Sequence, residues 1–380
     1  MKKDNFYEKI TLILSFLILN NYFLLSLSSP ELLVKMNFIF FFAFIFVFYF
    51  KYFLENLYLK IFFLFIVFIC LGVPISDWDP RTTWFFHAKR IFYDKSIFSI
   101  ADNYAAHSHN DYPTLAPAFA SSFASLIGYW NEIFPKLSFT LMFFPPLILI
   151  YNFFKDTQYL AFLAIVFYTI GNYLFNGWVD GLVAVYFVLS AYLMYFLIIA
   201  EIYHKKSLFL FLIAFCFFAI LSLIKNEGAV LLLILFITVF LIKLYKRELR
   251  KDIFKLFLLS FSFLPIISWK IFCHNKGIGS EFVNENILLN LLPRIGEIKN
   301  YQLISYFLFL NEKFFTCLLF FLITFYFKWN REILIFASIV VVAYSLVLFF
   351  IFLSTPHDLY FHLNSTAARV VKSLSFFLAF

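Results

Sequence analysis

The chain has 380 residues, 63% of them hydrophobic and only 14% charged, with a mean hydropathy of +0.89. Water-soluble domains run at about 45–50% apolar and about 25% charged, and 62 phenylalanines are too many to hide in one such core. The net charge of +8 suits anionic lipid headgroups, and no aromatic-interleaved basic groove for nucleic acid is present.

The apolar runs are long and unbroken, not alternating, which points to helices and away from a β-barrel. In lipid each helix satisfies its own backbone hydrogen bonds. Residues 1–27 pair a short basic start with an apolar stretch. Ser26, Ser28 and Ser29 would suit a cleavable leader, but the many runs that follow favour a retained first span. At about 20 residues per crossing, the runs at 10–28, 36–51, 60–75, 137–154, 159–175, 181–203, 207–224, 229–245, 253–273, 312–328 and 333–353 predict eleven transmembrane helices. The expected fold class is all-α integral membrane, a polytopic bundle in a single domain, 1–380.

Basic residues set the sides. Lys2, Lys3 and Lys9, then Lys51 and Lys60, Lys205 and Lys206, Lys246, Arg247, Arg250 and Lys251, and finally Lys328 and Arg331 mark the inner face. The N-terminus is then inside. The outer segments are 76–136, 176–180, 225–228, 274–311 and a C-terminal tail, 354–380. If 114–130 crossed, every later loop would change sides, so it is predicted as an interfacial or re-entrant helix. Its Ala116, Ala118, Ala120, Ser121, Ser122, Ala124 and Ser125 suit close helix contact. A second interfacial helix is predicted over 81–93. Cys70, Cys216, Cys273 and Cys317 have no CxxC spacing and read as packing residues.

Polar residues concentrate in the outer segments. The first carries Asp77, Asp79, Arg81, His87, Lys89, Arg90, Asp94, Lys95, His107, His109 and Asp111 directly after a span, and ionisable groups beside the bilayer point to function. An ionised Asp77 or Asp79 facing a cleft can act as a general base or a metal ligand. The structural alternative is capping of the next helix, with Pro80 at its first position. His107, His109 and Asp111 alternate along a loop and are a candidate for a divalent metal, against a plain loop of the turn formers Ser108, Asn110 and Pro113. Asp180 stands at a span entrance, as a cap or as a site acid. Lys225-Asn226-Glu227-Gly228 separates two apolar runs, either as a polar hairpin or, through Lys225, as a phosphate ligand. In the tail, His362 and Arg369 are seven apart and would share a helix face. Arg with His and Ser365 nearby suits phosphate recognition, and a solvated tail is the alternative.

In order, these pieces resemble the GT-C superfamily of integral membrane glycosyltransferases, which includes protein O-mannosyltransferases and the aminoarabinose transferase of lipid A. The likeness covers about residues 70–370. It rests on Asp77-Trp78-Asp79 with Trp84 and Ala88-Lys89, on His109-Asn110-Asp111-Tyr112-Pro113, on Asn176 to Asp180 and on Lys225 to Gly228. Its last piece is Thr355-Pro356-His357-Asp358-Leu359 with His362, Ser365 and Arg369. Two further spans before the Asp loop, which many family members place after the first span, and the lack of a large soluble C-terminal domain depart from the pattern.

The resemblance implies inverting transfer from a polyprenyl-phosphate-linked sugar donor to a cell-envelope acceptor (glycolipid, polysaccharide or protein), on the outer face of the cytoplasmic membrane. It implies Asp79 as the base with Asp77 second, and Lys89, Arg90, Lys225, His362 and Arg369 on the donor phosphate. Trp84, His109, Asp111, Tyr112, Asp180 and Glu227 would meet sugar or acceptor. Membrane lipid is a partner and nucleic acid is not. Two other classes compete. A polysaccharide polymerase is expected to bring catalytic arginines on a large outer loop, where 274–311 offers Arg294. A lipid-linked oligosaccharide flippase is expected to carry its charges at mid-membrane.

Overall fold

A computed structural model describes residues 5–53, 57–154, 157–200, 207–279, 287–327 and 330–380. Among these there are helices and no strands. In chain order they are α1 (Asn5–Ser26), α2 (Glu31–Phe53), α3 (Leu57–Gly72), α4 (Phe85–Asp94), α5 (Leu115–Ile127), α6 (Ile133–Leu141), α7 (Phe144–Phe153), α8 (Thr157–Thr169) and α9 (Asp180–Met194). Then follow α10 (Ser207–Ile224), α11 (Asn226–Tyr245), α12 (Leu249–Ser260), α13 (Leu264–Asn275), α14 (Ile287–Ile295), α15 (Ile298–Phe309), α16 (Glu312–Phe327), α17 (Arg331–Ser354) and α18 (Leu359–Ala379). A π turn, Pro80–Trp84, leads into α4, and another, Tyr195–Ile199, extends α9.

Seven stretches among the described residues are long and apolar enough to cross a membrane: α1, α2, Ile133–Phe153, Asp180–Ile199, α11, Leu249–Asn275 and α17. They coincide with seven of the eleven runs read from the sequence. The runs at 60–75, 159–175 and 207–224 are shorter apolar helices, and 312–328 is one arm of a pair, α15 and α16, bent by 71°. Large apolar side chains such as Phe16, Ile39, Phe68, Phe254 and Leu346 point outward, as a lipid-facing surface requires. The chain is a multi-pass helical bundle built as a membrane protein.

Contacts sort the helix ends. Tyr7 packs on Phe48 and Tyr151, Lys9 lies over Phe209, and Lys246 pairs with Glu332. The starts of α1, α10 and α17 therefore share one end with the termini of α2, α7 and α11. Of the inner-face markers, Lys2, Lys3, Lys205, Lys206 and Lys328 lie outside the described residues, as do the side chains of Lys51 and Lys60. Near this end Lys243 and Asp252, both fully buried, pair at 2.8 Å and tie α11 to α12.

The segment 114–130, expected as an interfacial or re-entrant helix, holds α5, a short apolar helix buried from Leu115 through Ser125 and packed by α1, α2, α4 and α6. Alanine and serine let neighbours close on every side of it, and Ser122 Oγ donates to Asn21 Oδ1 at 2.7 Å. The stretch 354–380 is not an outer tail. It is α18, capped by Asp358, whose carboxylate accepts from the Phe361 N–H at 2.9 Å. It lies along α9 and α16. Phe377 meets Phe187 at 5.3 Å, and Phe380 meets Phe154, Phe162 and Tyr192 at 5.8, 5.4 and 5.6 Å. The C-terminus thus sits with the ends of α7 and α9. Of the polar residues that disguise α18 as a tail, His362, Arg369, Ser373 and Ser375 are buried or half-buried in the bundle, while Asn364 and Ser365 are exposed.

Candidate functional site

The opposite end gathers the polar loops. Asp79 precedes the Pro80 turn but makes no capping bond; its carboxylate pairs with Arg369 of α18. Asp77 is not a cap either. Its Oδ2 accepts from Asn176 Nδ2 at 3.0 Å and from Trp178 Nε1 at 2.7 Å. The 176–178 loop can lie this close because residue 177 is glycine. Its φ is +87°, and a Cβ there would stand 2.5 Å from the Phe85 ring.

Lys225 is the extended residue between α10 and α11. Its Nζ donates to Asp180 Oδ1 at 2.8 Å and lies 3.7 Å from Glu227 Oε2. Burial opposes the Lys225 charge, but Asp180 and Glu227 outweigh it and raise the pKa, so the ammonium persists. Glu227 Oε1 accepts from the Tyr344 hydroxyl at 2.5 Å and from Ser373 Oγ at 3.4 Å. Gly228 lets α11 start against α10, since a Cβ would overlap the Leu221 carbonyl oxygen. Asp180 is the first residue of α9 and directs its carboxylate to Lys225, making no cap.

The loop before α5 is held from below. Asp111 Oδ2 accepts from Asn226 Nδ2 at 2.8 Å, and its main-chain carbonyl accepts from Trp269 Nε1 and Lys270 Nζ at 3.1 and 3.0 Å. His109 stacks on Tyr112 at 4.8 Å, and Tyr112 stacks on Trp84 at 5.6 Å. His87 is fully buried beside Asn110 at 3.0 Å; burial, with help from Arg90 and His109, holds its pKa down at about 4, so the ring is neutral.

These elements enclose a cavity of about 320 Å³. Its polar wall has Asp79, His109, Tyr112, Lys225, Asn226, Glu227, Tyr344, His362, Thr366 and Arg369. Its apolar wall has Val230, Ile287, Val347, Leu348, Phe350, Ile351, Phe352 and Val370. Among the described residues Arg369 Nε is buried without a hydrogen-bond partner, a donor left open toward the cavity side of the pair.

Of the residues singled out in the sequence, Asp79, Lys225, His362, Arg369, His109, Tyr112 and Glu227 line this cavity. Asp111, Asp180 and Trp84 stand behind it, touching the lining residues Asn226, Lys225 and Tyr112, and Asp77 holds Trp178, whose ring lies against Arg369. Lys89 and Arg90 do not reach it. Lys89 is exposed on α4, and Arg90 donates to both Asp102 oxygens at 2.8 and 2.9 Å and to the Ser99 carbonyl at 2.6 Å. A helix places adjacent residues about 100° apart, so two neighbours near a site need not face it. Arg294 donates to the carbonyls of Thr355 and His357 at 2.6 and 2.9 Å, closing the α17–α18 turn. Among the described residues no group of three or more His, Cys, Asp or Glu is gathered to hold a metal ion. His107 is exposed, while Asp111 is turned to Asn226 and Lys270. Tyr344 and Ser373 are not legible in the sequence as site residues. Each sits inside a helix with no local signal, and only the crossing of α11, α17 and α18 brings them to Glu227.

Compared with protein-family models, with curated proteins and with solved structures, the chain matches none.

Proposed function

We propose that the protein is an integral membrane glycosyltransferase of the GT-C type, moving a sugar from a polyprenyl-phosphate donor to a cell-envelope acceptor with inversion. One observation carries the reading: a single cavity joins a carboxylate–guanidinium pair, Asp79 and Arg369, to a wall of aliphatic and aromatic side chains. A lipid-linked phosphosugar needs both, cations for its phosphate and an apolar bed for its tail.

In this reading the donor phosphate draws Arg369 away from Asp79, with Lys225 beside it. The freed Asp79 carboxylate accepts the proton of the acceptor hydroxyl. The acceptor oxygen attacks the anomeric carbon in line, the bond from that carbon to the phosphate oxygen breaks, and the lipid phosphate leaves with its new charge opposite Arg369 and Lys225. Asp77, engaged by Asn176 and Trp178, is a positioning residue. Glu227, Tyr112 and His109 face the sugar or acceptor.

The eleven sequence runs would cross the cytoplasmic membrane, α18 would return through the bundle, and the cavity would open on the outer face. The basic run Lys246, Arg247, Arg250 and Lys251, which the Lys246–Glu332 pair puts at the same far end as the start of α17, supports that orientation. A polysaccharide polymerase or a flippase is the alternative, and the commitment of Arg294 to main-chain carbonyls removes the arginine that favoured the former. The test is transfer in liposomes from a panel of polyprenyl-phosphate sugars. Asp79→Asn is expected to lose at least about 100-fold in turnover; turnover equal to wild type sinks the mechanism.

A further inference from the structure

Starting from Arg369 at the cavity wall, three cations on α18 and α16 each lie over an aromatic ring. Arg369 is over Trp178 at 4.6 Å, Lys372 over Tyr173 at 4.1 Å and Lys313 over Tyr168 at 5.9 Å. The Trp178 and Tyr173 rings are themselves 5.4 Å apart. Arg369 and Lys372 are one turn apart on α18. Lys313 comes from α16, which packs along α18, and Tyr168 ends α8 with 43% of its surface exposed. The row therefore leads from the Asp79 pair to the flank of the bundle.

The two outer cations differ from those at the cavity. Lys225 has Asp180 and Arg369 has Asp79. Among the described residues neither Lys313 nor Lys372 has a carboxylate within 4.0 Å, and the close partner of each ammonium group is its tyrosine ring. Both are half-buried, and the Lys313 charge acts against that of Lys372, which only the more distant Asp180, already paired with Lys225, offsets in part. Ring faces attract each cation but supply no counter-charge. Two half-buried ammonium groups without a carboxylate in contact are costly, and one anion between them offsets the repulsion and supplies a direct partner. Lysines serve well as point-charge phosphate ligands.

We propose that Lys313 and Lys372, flanked by Tyr168 and Tyr173, form a second anion site that takes a phosphate group, separate from the cavity at Asp79. This holds whether or not the protein transfers sugars.

The test uses the full chain in nanodiscs of zwitterionic lipid, titrated with inorganic phosphate in one arm and short-chain phosphatidic acid in the other. Acylation of individual lysines by an amine reagent is read by peptide mass spectrometry. Lys313 and Lys372 are expected to be protected together, with exposed Lys89 unaffected. Protection in both arms means that free phosphate suffices, and protection by phosphatidic acid alone assigns the site to a lipid headgroup. Lys313→Gln and Lys372→Gln are expected to weaken protection of the remaining lysine by roughly tenfold, with the arginine variants near wild type. If a glutamine variant does not elute as a folded species, the wild-type protection pattern decides alone. No protection by either probe, or equal protection of Lys89, overturns the proposal.

Discussion

The indole of Trp178 is held from two sides: its Nε1–H donates to Asp77 at 2.7 Å, and its ring lies 4.6 Å from the Arg369 guanidinium. Arg369 in turn pairs with Asp79. The two acids of the first polar loop are therefore the ends of one chain of contacts, Asp77 to Trp178 to Arg369 to Asp79. Trp178→Phe keeps the ring and loses the N–H, whereas Trp178→Leu loses both. The expected order of thermal stability in detergent is wild type, then Phe, then Leu, with the last step about 0.5–2 kcal/mol. Equal stability of the Phe and Leu variants would remove the cation–ring contact from the account.

Lys225 and Asp180 form a buried pair at 2.8 Å, with side chains 12% and 3% exposed. Removing one partner strands the other charge, so Lys225→Met and Asp180→Asn are each expected to destabilise by about 3–5 kcal/mol. The double variant should recover part of that loss. A double-mutant cycle from denaturant unfolding measures it, and strictly additive losses would mean that the two groups do not interact.

His87 sets a pH dependence. Its folded pKa, about 4, lies below the ordinary value of 6.5 because burial disfavours the charged ring. The unfolded chain thus takes up the proton first as pH falls. Stability from this group is complete above about pH 6.5, declines between 6.5 and 4, and is constant below that, with a total loss on the order of 3 kcal/mol. His87→Gln, which keeps a donor for Asn110, should flatten this part of the stability profile. An unchanged slope for the variant would show that other groups dominate.

Gly177 is expected to tolerate no side chain. Gly177→Ala would combine a left-handed backbone, worth about 1–2 kcal/mol, with a Cβ 2.5 Å from the Phe85 ring, itself 5.1 Å from the ring of Phe139. A fall in the unfolding midpoint is the expected result, partly reversed by adding Phe85→Leu. The same alanine at Gly277, which also has positive φ but open space around it, should cost less.

Composition and run length alone require a helical membrane protein. A chain this apolar has no other way to satisfy its backbone and side chains together, and the order of polar breaks between the runs locates Asp79, Lys225, Glu227 and Arg369. What the sequence does not decide is which way a charged side chain turns once helices cross. Lys89 and Arg90 lie in the same loop as Asp79 yet face away, and Tyr344 sits in an unbroken apolar helix yet reaches Glu227. The 354–380 stretch misleads for the same reason. Its arginine, lysine and last two serines read as a solvated tail, but α18 places them against α9, α16 and Glu227, inside the bundle. Length and hydropathy are sums along the chain and survive being read one residue at a time. A site is a meeting of distant segments, and only the packing of α9, α11, α17 and α18 brings the fourfold cluster of Asp79, Arg369, Lys225 and Glu227 to one cavity.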